Sequence, residues 1–119
     1  MADIVDIEIS YIPTLSRSNI AYKDVIGVVV KESGDPVDFT VQEAVLSIST
    51  NERSKLLLTL GNGLTWNDEI KALTVVILNE QMSFVREDTQ FDYHISVSWS
   101  SNQLMTTLRK GTVTAVRES

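Results

Sequence analysis

The sequence predicts an all-β fold, an antiparallel β-sandwich. Two observations carry this. Residues 90–99 read Gln-Phe-Asp-Tyr-His-Ile-Ser-Val-Ser-Trp, with Phe91, Tyr93, Ile95, Val97 and Trp99 on one side and Asp92, His94, Ser96 and Ser98 on the other. Strict period-two alternation marks a half-buried strand, because a helix would scatter the five large groups around its axis. The rest of the chain repeats the pattern in short pieces separated by turn residues, which points to a sandwich rather than a parallel α/β sheet. Residues 90–99 are expected at the centre, with Tyr93, Ile95 and Val97 in the core.

The other elements follow in chain order. Val5, Ile7, Ile9 and Tyr11 alternate with Asp6, Glu8 and Ser10, and Pro13 ends this first strand because it lacks an amide hydrogen. Residues 13–20 are polar with breakers and predict a loop. Residues 24–31 predict a second strand, in which Val25, Ile26, Val28, Val29 and Val30 place β-branched side chains on both faces. Such a strand is covered on both sides or sits at an interface. Ser33-Gly34-Asp35-Pro36 predicts a turn, with glycine supplying positive φ and proline fixing its own. Ala44, Leu46 and Ile48 mark a third strand, joined through a polar turn at 50–54 to a returning strand at 55–60. Gly61-Asn62-Gly63 breaks that run, since Asn-Gly is a strong turn signal.

Leu64 and Trp66 follow, and Asn67-Asp68-Glu69 predicts another turn. Residues 70–78 predict a fifth strand, with Leu73, Val75 and Ile77 on one face. Residues 79–85 predict the one short helical turn, capped by Asn79, with Met82 and Val85 or Phe84 inward. Ser100-Ser101-Asn102 turns the chain back. Leu104, Thr106 and Leu108 alternate with Met105 and Thr107, Lys110-Gly111 predicts a bulge, and residues 112–117 predict a closing strand. At about 3.3 Å per residue, 91–99 spans roughly 26 Å, longer than a typical sandwich strand. One end therefore reaches a rim, where Trp99 or Phe91 is open to a partner.

Composition bounds the function. The 119 residues suit one continuous domain, divisible into an N-terminal strand or arm at 1–22 and a sandwich at 23–117. Hydrophobic residues make up 43% and charged residues 22%, ordinary for a globular protein. The net charge of −6, with basic residues spread along the chain, disfavours a nucleic-acid partner. Apolar runs are far too short for a membrane helix. The opening residues carry neither a basic region nor an apolar core, so synthesis and folding in a cytoplasm are expected. Without cysteine there is no disulfide and no thiolate metal site.

No pattern of catalytic or cofactor-binding residues emerges, and no cofactor or metal is expected. His94 is the single histidine, in a row with Asp92 and Ser96 on a polar face. A catalytic triad needs groups converging from different segments around a shielded nucleophile. A metal site needs more oxygen, histidine or cysteine ligands. The carboxylates at 67–69 and 86–89 fit turn and capping chemistry. Gly61-Asn62-Gly63 lacks the lysine and helix of a phosphate loop.

Three stretches together resemble a known family. Gly34-Asp35-Pro36-Val37-Asp38-Phe39-Thr40 resembles the "G-x-P-V-D-L-T" turn of small immunoglobulin-like domains in bacteriophage tail, baseplate and fibre proteins, including the N-terminal domain of baseplate upper proteins. Phe91-Asp92-Tyr93-His94-Ile95 is similar to that family's "Y-x-Y-D-(I/L)" strand, with aspartate before the second aromatic rather than after it. Thr107-Leu108-Arg109-Lys110-Gly111-Thr112-Val113 resembles its "T-L-L-x-G-x-(V/I)" ending. The resemblance spans 23–117. It implies an immunoglobulin-like sandwich and a virion structural protein of tail, baseplate, neck or head fibre. Such a protein oligomerises with itself and binds other virion proteins, without catalytic residues. The candidate contacts are Ile26, Val28, Val30 and Trp99, together with the arm. Tyr93 takes the place of a tyrosine corner, its ring in the core and its hydroxyl on a nearby backbone group. The alternative is a carbohydrate- or receptor-binding sandwich, with Trp66 or Trp99 stacking on ligand.

Overall fold

The computed structural model describes residues 3–14, 16, 18–29, 33–50, 53–99 and 105–118. The strands are β1 (Asp3–Ile4), β2 (Ile7–Tyr11), β3 (Ile20–Gly27), β4 (Glu43–Thr50), β5 (Arg53–Leu60), β6 (Gly63–Asn67), β7 (Ala72–Leu78), β8 (Thr89–Ser98) and β9 (Thr106–Arg117). The single helical element among the described residues is the 3₁₀ turn Asn79–Met82. No helix there is long and apolar enough to cross a membrane. The expected turn at 100–102, Leu104, Lys31 and Val30 lie outside the described residues.

The strands form one mixed sheet in the order β1-β9-β8-β4-β5-β6-β7-β3, with β2 also on β9. It curls nearly into a barrel, so that β2 at one end meets β3 at the other. A single core cluster draws on both halves: Ile9, Ile26, Leu46, Ile48, Leu58, Leu64, Leu73, Ile77, Phe91, Tyr93, Ile95, Val97 and Val113 among others. The expected central strand is β8, flanked by β4 and β9, with Tyr93, Ile95 and Val97 each at most 4% exposed.

The sheet is not purely antiparallel. β1 and β2 run parallel to β9, and β6 pairs parallel with β5 over two residue pairs. The second case follows from the kink at Gly61 and Gly63, with φ of 83° and 96°. These left-handed angles suit glycine and redirect the chain without reversing it into a hairpin. β6 itself was not expected as a strand. β3 begins earlier than the apolar run suggests, at Ile20, and ends at Gly27. The break in register on β8–β9 falls opposite Ile95/Ser96, making Leu108 the extra residue rather than Lys110 or Gly111. Asn79 does not cap the 3₁₀ turn. The Leu78 amide donates instead to Gln81 Oε1 at 2.8 Å, and the Asn79 side chain reaches Ile12.

Candidate functional site

β3 sets the first feature, an apolar outer sheet face. Tyr22, Asp24, Ile26 and Val28 point inward, and Lys23, Val25, Gly27 and Val29 point out. Ile26 and Val28, expected as contacts, are each 6% exposed and belong to the interior. The β-branched residues open to a partner are their neighbours, Val25 at 50% and Val29 at 49% exposed. β-branching on both faces hides this parity in the sequence; the inward turn of Asp24 fixes it. Ile20 pairs with Leu78 across β3 and β7, and Val25 with Thr74. Exposed Ile20, Val25 and Val29 and half-buried Val76 and Leu78 thus share one outer face, interrupted by Lys23 opposite Val76 and by Thr74 opposite Val25. It runs into a shallow open concavity lined by Gly61, Asn62, Gly63, Thr65 and Gln81.

The edge beside this face is blunted. The Val28 amide donates to Lys71 O, so period-two pairing turns the Val25 amide toward the open edge. There it donates to the neighbouring Asp24 Oδ1 at 2.8 Å. An edge whose amide already has a carboxylate partner is a poor template for an added strand.

Asp24 also anchors the second feature, a side-chain seam where the curled sheet's ends meet without a backbone ladder. Arg109 of β9 donates Nη1–H to Asp24 Oδ2 at 2.8 Å, and the Tyr22 hydroxyl donates to the same oxygen at 3.3 Å. Burial, reinforced by the Asp24 charge, pushes the Tyr22 phenol up to about 12. Burial also raises Tyr93, partly offset by the Arg109 charge. The cavity among Ile7, Tyr22, Asp24, Tyr93 and Arg109 measures about 10 Å³, room for one water at most and too small for a ligand. Arg109 faces inward by the same alternation that buries Val113 and Ala115, opposite Ile95; the extra residue at Leu108 shifts the parity only of Thr107 and Thr106.

Along the seam the arm is pinned by groups remote in sequence. The Tyr93 hydroxyl donates to Val5 O at 2.5 Å, the Val5 amide to Lys110 O at 2.9 Å, and the Thr112 amide and hydroxyl to Asp6 Oδ1 at 3.0 Å each. Tyr93 therefore satisfies a backbone carbonyl, as a tyrosine corner would, but on the arm. Asn79 clamps Ile12 twice, accepting its amide at 3.2 Å and donating to its carbonyl at 2.9 Å.

The aromatic rim is the third feature. Phe39 stacks on half-buried Trp99, centroids 4.3 Å apart and planes at 22°. Asp68 Oδ1 accepts from Lys71 Nζ at 2.7 Å, Thr40 Oγ1 at 2.7 Å and Trp66 Nε1 at 3.2 Å. Those donors, Lys71 foremost, hold the carboxyl down at about 2. His94 is exposed on the outer face of β8, in a row with Asp92 and Ser96 and not converging with them. Among the described residues no three histidine or carboxylate side chains are grouped to hold a metal ion. No family model matches this chain, and no curated protein matches it.

Proposed function

We propose that this chain is a bacteriophage virion structural protein, an immunoglobulin-like β-sandwich of tail, baseplate, neck or head fibre. It acts in the virion by assembling with copies of itself and with other virion proteins. The strand order supports the sandwich reading. In a sandwich, β9, β8, β4 and β5 would face β3, β7 and β6, the sheet dividing where β5 and β6 pair over only two residues, with the N-terminal strands laid parallel on the last strand. The observation that carries assembly is the gathering of Ile20, Val25, Val29, Val76 and Leu78 on one sheet face, with Lys23 and Thr74 among them. Apolar side chains gathered on one face favour an interaction site more than singly scattered ones do. The alternative glycan-binding reading needs an open tryptophan, and it draws less support. Trp66 is committed through its N–H to Asp68, and Phe39 lies flat against Trp99.

Paired substitutions test the contact. Val25→Asp with Val29→Asp is expected to lower the assembled mass in light scattering while the melting temperature holds, because both positions are half exposed and surface changes move stability by about 0.5 kcal/mol or less. Ile26→Asp buries an unpaired charge and is expected to unfold the chain. A folded Val25→Asp/Val29→Asp variant that keeps its assembled mass refutes this contact. Antibodies against the chain that fail to label purified tailed particles refute the virion assignment.

A further inference from the structure

We infer that the N-terminal arm, residues 3–12, exchanges between two copies of this chain, each arm seating in the other copy's groove along β9. The inference deepens the assembly reading and rests on it for the biological purpose, though not for the geometry.

The groove is built for this arm's backbone. A Cβ on Gly111 would lie 2.3 Å from Val5 O, so only glycine lets the arm approach this closely. The Tyr93 hydroxyl then meets that same carbonyl, and Thr112 meets Asp6 through both its amide and its hydroxyl. β2 adds a continuous parallel ladder from Ile7 opposite Val113 to Tyr11 opposite Arg117, and Ile9 fills the core at 1% exposure. The groups that hydrogen-bond the arm belong to β8, β9, Glu118 just after β9 and the 3₁₀ turn, all distant in sequence, and β2 also meets β3. Parallel pairing of the first strand with the last makes the arm separable: no hairpin ties it to its receptor.

What ties it is the connection between Ile12 and Asn19. Asn79 holds both ends of that connection, the Ile12 backbone through its side chain and the Asn19 carbonyl through its own amide at 2.7 Å. Ile12 and Asn19 therefore lie on the same residue, Asn79. Pro13, Thr14, Ser16 and Ser18 within the connection are exposed. Pro13 also biases Ile12 toward extended backbone, which suits either seating of the arm. Opened, the seven steps from 12 to 19 reach roughly 24 Å at about 3.4 Å each, enough to carry the arm to a neighbour. Exchange reproduces every arm contact in trans, which makes it a low-cost route to a dimer. A second copy is the occupant because the ladder register, the Gly111 clearance and the Asp6–Thr112 contact match this arm.

The test exploits the absence of native cysteine. Two full-length single variants, Asp6→Cys and Thr112→Cys, are prepared, one of them isotopically heavy. They are mixed at several concentrations, partly opened with urea, returned to native buffer and oxidised with diamide. Asp6 Oδ1 lies 3.0 Å from Thr112 Oγ1, so a seated arm brings the two thiols together. The expected result is a dimer whose peptide map joins position 6 of one chain to position 112 of the other, its fraction rising with protein concentration. The double variant in one chain supplies the reference for a seated arm. No 6–112 cross-link between chains at any concentration, while the double variant closes within itself, overturns the exchange. If the cross-link is absent but Val25→Asp/Val29→Asp still lowers the assembled mass, exchange alone fails and face-mediated assembly stands.

Discussion

Replacing Gly111 with alanine tests how the arm is held. The new Cβ would sit 2.3 Å from Val5 O and 2.8 Å from Val5 C, both backbone atoms with no rotamer to retreat into. A carbon–oxygen contact needs roughly 3.3 Å, so the arm must move by about 1 Å at Val5. That motion stretches the Tyr93 bond to Val5 O and the Val5 bond to Lys110 O, now 2.5 and 2.9 Å. Each such bond contributes about 0.5–1.5 kcal/mol net, and forced overpacking adds about 1–3 kcal/mol. Gly111→Ala is therefore expected to cost about 2–6 kcal/mol in urea unfolding. Gly27→Ala is the control, since nothing lies within 4 Å of a Cβ there. It is expected to change stability by no more than about 1 kcal/mol, in the stabilising direction, through the unfolded state. Equal stability of the two variants would refute the account of a backbone-tight groove.

Asn79→Ala removes both bonds to Ile12 and leaves that backbone part-buried, at an expected cost of about 2–3 kcal/mol in the same assay; a cost below about 0.5 kcal/mol would contradict the clamp. Arg109→Met strands Asp24. With side-chain exposures of 19% and 34%, solvent screening reduces the expected loss to about 1–3 kcal/mol, and adding Asp24→Asn should restore part of it. Asp68 titrates at about 2 against an ordinary 3.8, held there first by Lys71. Its folded value is depressed, so its contribution is present above pH 3.8 and is lost as the pH falls toward 2. Lys71→Met should move the Asp68 carboxyl resonance back toward the ordinary value in an NMR titration, and an unmoved midpoint would remove Lys71 as the cause.

Much of this architecture is legible in local pattern. Ala44, Leu46 and Ile48, then Leu73, Val75 and Ile77, then Phe91 through Val97 alternate because one face is buried, and each lies in the core. What escaped the sequence depends on distant partners. Lys23 and Asp24 look like the polar lead-in to a strand, yet Asp24 lies inside β3 and points inward because Arg109 meets it from β9. Arg109 follows the inward parity of Val113 and Ala115, but the extra residue at Leu108, which no local signal marks, breaks the Leu104–Thr106–Leu108 pattern read from the sequence. Asn79 has the chemistry of a cap, and its amide spends that chemistry on Ile12, 67 residues away. Gly61-Asn62-Gly63 is legible as a break but not as a crossover into β6. The expected contacts Ile26 and Val28 lie one residue off the exposed face of β3. The apolar content of β3 was evident, but period-two parity decides whether Val25 or Ile26 meets solvent, and both are β-branched.

The solution mass of the unmodified chain, followed by light scattering from nanomolar to micromolar concentration, tests assembly through the β3–β7 face most directly. The account predicts a defined multiple of 13.3 kDa for the native chain and a lower mass for folded Val25→Asp/Val29→Asp at the same concentration. A native chain that stays at 13.3 kDa throughout, indistinguishable from that variant, would contradict self-assembly through this face.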